Sequence, residues 1–197
     1  NTPSKPNKVL EILNNVPGSS IIYCRSRRLA QETARLLAMH GISADHYHAG
    51  LGNDERSRRQ ESWVRNETRV IVCTNAFGMG IDKPDVRTVI HYDIPDCLEN
   101  YYQEAGRAGR DGKRAYAVLL YQQPDIQALR EQAATRFPDT ATLKTIYTDL
   151  MNHLQVPAGA GEGRSLDLDM AVFCDAFGHS PLVAGFAIKT LEQEDLF

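Results

Sequence analysis

Arg69-Val-Ile-Val-Cys73 narrows the possible folds more than any other stretch of this chain. After Arg69 it is apolar, so neither face of a strand built from residues 70–73 can be left to water. Such a strand belongs in a parallel sheet with helices above and below. The rest of the first two thirds keeps the same plan. Residues 8–16 carry apolar side chains at 9, 10, 12, 13 and 16, a short helix that Pro17-Gly18 stops. A β-rich run follows at 20–24, then a helix over about 26–40 with Leu29, Thr33, Leu36 and Leu37 inward and Gly41 as its cap. Residues 44–48 read as a short strand, and Asn53 or Asp54 is expected to cap a helix running to about Asn66. Further strands are expected at 69–73, 86–92 and 114–121. Strands alternating with helices imply right-handed crossovers.

Ligands of such sheets gather beyond the carboxyl ends of the strands. Arg25-Ser26-Arg27-Arg28 follows the first strand, His46-Tyr-His48-Ala-Gly50 the second, and Thr74-Asn75 the third, leading into Phe77-Gly-Met-Gly-Ile-Asp82. Polar and glycine-rich segments from distant parts of the chain should therefore converge. Small and hydroxyl groups after a strand can receive a phosphate through backbone N–H and Thr Oγ. A lone histidine such as His48 is more often a structural hydrogen-bonding group. Arg56, Arg58 and Arg59, with Asp54, Glu55 and Glu61 around them, are expected to form a solvated face.

The second concentration of chemistry is Glu99-Asn-Tyr-Tyr-Gln-Glu-Ala-Gly-Arg-Ala-Gly-Arg-Asp-Gly-Lys-Arg114. Leu98, Tyr101, Tyr102 and Ala105 have helical spacing. If the helix continues, Gln103, Arg107 and Arg110 share one face. Two guanidinium forks suit phosphate oxygens. A solvated helix with ordinary ion pairs is the simplest account of an isolated Arg-x-x-Arg. Three glycines argue against it, because each costs about 1 kcal/mol in a helix relative to Ala. A close-fitting polyphosphate cleft gives that cost a use.

Gln103 to Gly112 resembles motif VI of superfamily 2 helicases, and the spelling with Tyr101-Tyr102 before it is similar to the RecQ family of DNA helicases. Thr74 to Asp82 resembles motif V, and Ile21-Ile-Tyr-Cys-Arg-Ser26 resembles motif IV. Tyr47-His-Ala-Gly-Leu51 is similar to the family segment beside it. The resemblance covers about residues 5–122. It implies an α/β fold, a RecA-like parallel sheet flanked by helices, followed by a small all-helical region. Residues 1–122 would be the second motor lobe of an ATP-dependent helicase and 123–197 a helical region after it. By the same resemblance Arg110 is the arginine finger, Arg107 a second phosphate contact, and Gln103 a polar link between nucleotide and DNA. Gly80 and Asp82 join Arg107 and Arg110 in binding ATP, the carboxylate near a ribose hydroxyl. Arg25, Ser26, His48, Thr74, Asn75 and Gly78 contact DNA.

The 197 residues contain no Gly-x-x-x-x-Gly-Lys-Ser/Thr, Asp-Glu-x-His or Asp-Glu-Ala-Asp. ATP and Mg²⁺ are therefore expected mainly on an N-terminal motor lobe of the same full-length chain, and this piece is expected to be inactive by itself. DNA, as single strands and duplex junctions, is the expected partner. Two alternatives share parts of this reading: a lobe of an RNA helicase or DNA translocase of the same superfamily, and a non-catalytic nucleic-acid-binding lobe.

Residues 1–122 carry a net charge of +3 and residues 123–197 a net −6, giving −3 for the chain. Nucleic-acid binding is thus expected from a local basic surface of the first part. Cysteines at 24, 73, 97 and 174 form no Cys-x-x-Cys, so no zinc is predicted and the thiols are expected to be reduced. No apolar run reaches the ~20 residues of a membrane span. The expected location is cytoplasmic, or nuclear in a eukaryote. In the second part, helices are expected at about 124–137, 140–155, 167–177 and 180–197, with a flexible linker at 156–163. The last pair is reminiscent of the opening of a winged-helix-like module.

Overall fold

The computed structural model describes residues 4–78, 81–157 and 165–194. They divide into two compact units, Asn1–Ile126 and Gln127–Phe197. The first unit contains α1 (Lys5–Asn15), β1 (Ser19–Tyr23), α2 (Arg27–Met39), β2 (Ala44–Tyr47), α3 (Asn53–Val64), β3 (Val70–Cys73), β4 (Val86–His91), α4 (Leu98–Ala105) and β5 (Tyr116–Leu119). Its five strands are parallel, in the order β2-β3-β1-β4-β5.

Every residue of β1 and β3 is buried, as an apolar run at the centre of a doubly covered sheet requires. Alternation along these strands divides the core. Ile22, Val70, Val72 and Ile90 pack with Val9, Leu13 and Leu37 of the first two helices. Ile21, Ile71 and Val89 pack on the other face with Trp63 and Phe77. Burying a side chain of the size of Phe77 contributes ~2–3 kcal/mol. Tyr23, Cys73, Tyr47 and His91 stand in register, so β1 to β4 end level with one another. At the edge, β5 leaves Tyr116, Ala117 and Leu119 exposed.

Local departures from expectation have clear causes. Gly52, not Asn53 or Asp54, is the N-cap of α3, and it supplies no side-chain hydrogen bond. Asp54 and Glu55 instead lie in the first turn, where their charge suits the helix dipole. Arg59 is not part of a solvated face. Its side chain is 12% exposed, donates to Glu55 Oε1 at 2.6 Å and to the His46 carbonyl at 2.9 Å, and pairs with Asp45.

The regular elements among the described residues of the second unit are all helices: α5 (Gln123–Arg136), within which the unit boundary falls, α6 (Thr140–His153), α7 (Met170–Phe177) and α8 (Pro181–Gln193). Ile146 and Leu150, from the apolar stripe of α6, pack with Phe173, Cys174, Ala184 and Ala187. Asp139 caps α6 by accepting from Thr142 N–H at 2.8 Å, and Asp169 caps α7. Gly178, at φ 71°, ends α7, and α8 leaves at 109° to it. Most of the predicted glycine-rich linker lies outside the described residues. Among those described, no single helix is long and apolar enough to cross a membrane.

Candidate nucleotide groove and nucleic-acid rim

The level strand ends place three turns side by side. Cys24 N–H donates to the Cys73 carbonyl at 2.7 Å, and Thr74 N–H to the Tyr47 carbonyl at 3.2 Å. The turns after β1, β2 and β3 therefore form one continuous rim. Arg25 and Ser26 are exposed on it. Arg25 donates its backbone N–H to the Asp93 carboxylate at 2.8 Å, and its guanidinium lies 3.8 Å from Asp96. Ser26 Oγ caps α2 by accepting from Leu29 N–H at 3.1 Å. Thr74 is mostly buried and Asn75 exposed.

His48 is not on the surface of this rim but beneath it. It is buried, and the Gln31 amide donates to its Nε2 at 3.0 Å. Burial, with help from the Arg27 guanidinium, holds its pKa below the ordinary histidine value. A neutral ring here props the Gly50 turn. Arg27 packs against the same turn, where a Cβ on Gly50 would stand 2.8 Å from its Nη1. Arg27, part of the Arg25-Ser26-Arg27-Arg28 cluster but not among the residues the resemblance assigns to DNA, adds a cation to this rim.

The second assembly lies off the rim. The helix does not continue through Arg110: α4 stops at Ala105 with Gly106 as its cap, and turns follow. Gly109 and Gly112 take φ values of 65° and 75°. Gly109 N–H donates to the Val86 carbonyl at 2.9 Å and Asp111 N–H to the Pro84 carbonyl at 3.2 Å. The turn is thus pinned near the amino end of β4. The arginines accordingly flank the crossover between β3 and β4.

They still meet the residues the motif reading grouped with them. Asp82, Gln103, Arg107 and Arg110, with Gly78 and Gly106, line one open groove of about 660 Å³. Arg110 Nη1 donates to Asp82 Oδ1 at 2.8 Å and its Nε to the Gly106 carbonyl at 3.3 Å. The two side chains of that pair are 39% and 82% exposed. An ion pair so open to water is worth at most about 1 kcal/mol, so an incoming anion can take Asp82's place.

Arg107 is held more firmly. Its Nη1 donates to the Gly78 carbonyl at 2.6 Å, and its Nε is buried without a partner. Gly78, at φ 143°, lies directly under this guanidinium, and a Cβ there would overlap it. Gly78 therefore lines the groove. Tyr23 donates its hydroxyl to the Phe77 carbonyl at 3.2 Å beside Arg107, and burial pushes its pKa well above the ordinary tyrosine value. The phenol stays protonated and donating. Gly80 lies outside the described residues. Among those described, no group of three or more His, Cys, Asp or Glu side chains could hold a metal ion.

Two guanidinium groups and a carboxamide fit a phosphate chain, and a nearby exposed carboxylate fits a hydroxyl. The five-stranded parallel sheet with helices on its faces is the fold of a RecA-like lobe. The model of the helicase conserved C-terminal domain matches residues 4–112, and the chain belongs to that family. Over 115 residues it is 52% identical to the RecQ-like DNA helicase blm-1 of Caenorhabditis elegans, a match covering 58% of this chain and 12% of that protein. Over 160 residues it is 40% identical to the ATP-dependent DNA helicase RecQ of Pasteurella multocida (strain Pm70), covering 72% and 25%. The chain thus spans no more than about a quarter of the length of these relatives. The solved C-terminal domain of the DEAD-box protein Dbp5 superposes with a TM-score of 0.56 at 25% identity, over 67% of this chain and 79% of that one.

Proposed function

We propose that this chain is the second motor lobe of a RecQ-type ATP-dependent DNA helicase, and that it presents Arg110 to a nucleotide held by another lobe. The observation that carries the reading is the meeting of Arg107, Arg110, Gln103 and Asp82 on one groove. Arg110 is the mobile cation of the set. It exchanges Asp82 for the terminal phosphates and stabilises charge on the transferred phosphoryl group. Arg107, braced on Gly78, holds the wall in shape and turns its remaining N–H groups to the same phosphates. Asp82, once released, is free to accept from a ribose hydroxyl. ATP supplies the phosphoryl group and the energy of closure, and Mg²⁺ is held by the other lobe. The rim of Arg25, Ser26, Thr74 and Asn75 grips the phosphate backbone without reading sequence.

The test uses the 197-residue chain alone and the chain joined to a lobe that carries the Gly-Lys-Ser/Thr loop. The chain alone should not turn over ATP; the joined protein should. Arg110→Ala in the joined protein should cut kcat by about 10³-fold or more while ATP affinity stays within a few-fold. Helicase-like turnover by the chain alone, or an unchanged kcat in Arg110→Ala, contradicts the reading. Unwinding of DNA and RNA duplexes measured side by side distinguishes the RecQ type from an RNA helicase.

A further inference from the structure

Between the rim and the groove lies a buried histidine–carboxylate hydrogen bond that the proposed mechanism does not use. His91 is the last residue of β4 and is fully buried. Its Nε2 donates to Glu104 Oε2 at 2.9 Å, and its Nδ1 has no partner. The ring is stacked on Tyr23 at 5.5 Å between centroids and meets Tyr101 of α4 at 4.9 Å. Glu104 is in the last turn of α4, with its side chain 13% exposed. Its backbone carbonyl accepts from Arg107 N–H at 3.2 Å.

A carboxylate and a polar ring are an expensive way to fill a core. Apolar residues of similar volume would stabilise the unit as well or better. What the pair adds is direction. Dispersion contacts let a short helix slide or roll, whereas a charge-assisted hydrogen bond to a fixed strand end fixes its position along the axis and its rotation. α4 is eight residues long, and none of its residues is buried. It has little apolar packing to set its register, yet its end fixes where Gln103 and Arg107 stand, and Arg110 beyond them. Tyr23 extends the restraint. It stacks on His91, and its hydroxyl reaches the Phe77 carbonyl, next to the Gly78 carbonyl that braces Arg107.

We infer that His91 and Glu104 are positioning residues for the arginine groove: their buried hydrogen bond sets the register of α4, and so the reach of Arg107 and Arg110. The inference rests on the motor reading and deepens it. Neither residue touches the nucleotide in this scheme, so their loss acts on kcat and spares binding.

The test measures ATP turnover at saturating DNA in the joined two-lobe protein, well below its melting temperature. Glu104→Ala should lower kcat by about 30-fold or more, the scale of a misplacement of roughly 1 Å. Its KM for ATP and its affinity for DNA should stay within about threefold. Glu104→Gln, whose Oε1 still accepts from His91, should recover most of the loss. The double variant His91→Phe/Glu104→Leu separates position from stability, because removing both polar partners leaves nothing unpaired. It should melt near the parent temperature and still turn over slowly. A double variant that regains kcat along with stability overturns the inference, as does a Glu104→Ala kcat within threefold of the parent. Arg110→Ala, run in parallel, separates the two failures. If it abolishes turnover while Glu104→Ala does not, only the positioning role falls; if Arg110→Ala is active, both fall.

Discussion

At the scale of single residues, Lys83 shows how a buried cation holds a loop in place. Its side chain is 3% exposed and its Nζ is 2.9 Å from Asp85 Oδ1. The same ammonium donates to the Val64 carbonyl at 3.0 Å and Asn66 Oδ1 at 2.9 Å, and lies 5.4 Å from the centre of the Trp63 ring. Asp82 is the residue before it, so this anchor fixes where the carboxylate that pairs with Arg110 begins. The Lys83 hydrogen bond holds the Asp85 carboxyl below its ordinary value of 3.8. A carboxylate whose folded pKa is depressed adds stability above the unfolded value, and that stability is lost as pH falls through the folded one. The melting temperature of the first unit should therefore drop as pH falls below 3.8, with Trp63, the single tryptophan, as the fluorescent reporter. Lys83→Met should flatten this part of the pH profile. At neutral pH it should cost about 2 kcal/mol, the usual worth of hydrogen bonds to a charged group. A variant that keeps the parent's acid profile would show that Asp85 owes its shift to something else.

At the scale of elements, the turn after α4 matters more than the helix. Gly109 and Gly112 both have positive φ, but their surroundings differ. A Cβ on Gly109 would fall 2.8 Å from the Lys113 carbonyl and 2.9 Å from the Ala115 Cβ, while one on Gly112 would meet nothing within 4 Å. Gly112→Ala should thus cost only the left-handed penalty of about 1–2 kcal/mol. Gly109→Ala should cost clearly more and also slow ATP turnover, because the turn that carries Arg110 must shift. Equal melting temperatures for the two variants would refute this account of the turn. The same turn marks the limit of what was legible in the sequence. The strands could be read because apolar runs between turn residues have one good explanation, and the grouping of Gln103, Arg107, Arg110 and Asp82 followed from motif spelling. That α4 ends at Ala105 could not be read, because glycines at 106, 109 and 112 suit a thinned helix end and a left-handed turn alike. Arg59 was misread for a different reason. Its partner Asp45 sits on β2, and pairing across elements leaves no periodic trace in the chain.

At the scale of the whole molecule, the charge distribution decides what kind of grip the rim can exert. The chain carries a net charge of −3, so its overall field does not draw in a polyanion. In the proposed motor, attraction would have to come from the local cations Arg25, Arg27 and Arg28, and even these are not all free: Arg28 lies 3.2 Å from Glu32, and Arg25 3.8 Å from Asp96. Both contacts are exposed and weak enough to yield to phosphate. A single strand crossing the rim therefore displaces few counterions. With about 0.7 released per phosphate contact, three contacts give a slope near −2 for the logarithm of affinity against the logarithm of salt concentration. This slope should be read from anisotropy titrations of a labelled single-stranded oligonucleotide over a series of salt concentrations. Reversing Arg25 and Arg27 to Glu should weaken binding at every sequence tested and flatten the slope by about 1.4, since two of the three contacts are lost. Charge reversal of an exposed residue at the opposite, amino end of the strands, such as Arg65 between α3 and β3, should leave the slope unchanged. If remote and rim reversals had equal effects, the grip would be a property of net charge, and the convergence of the three strand-end turns would have no part in it.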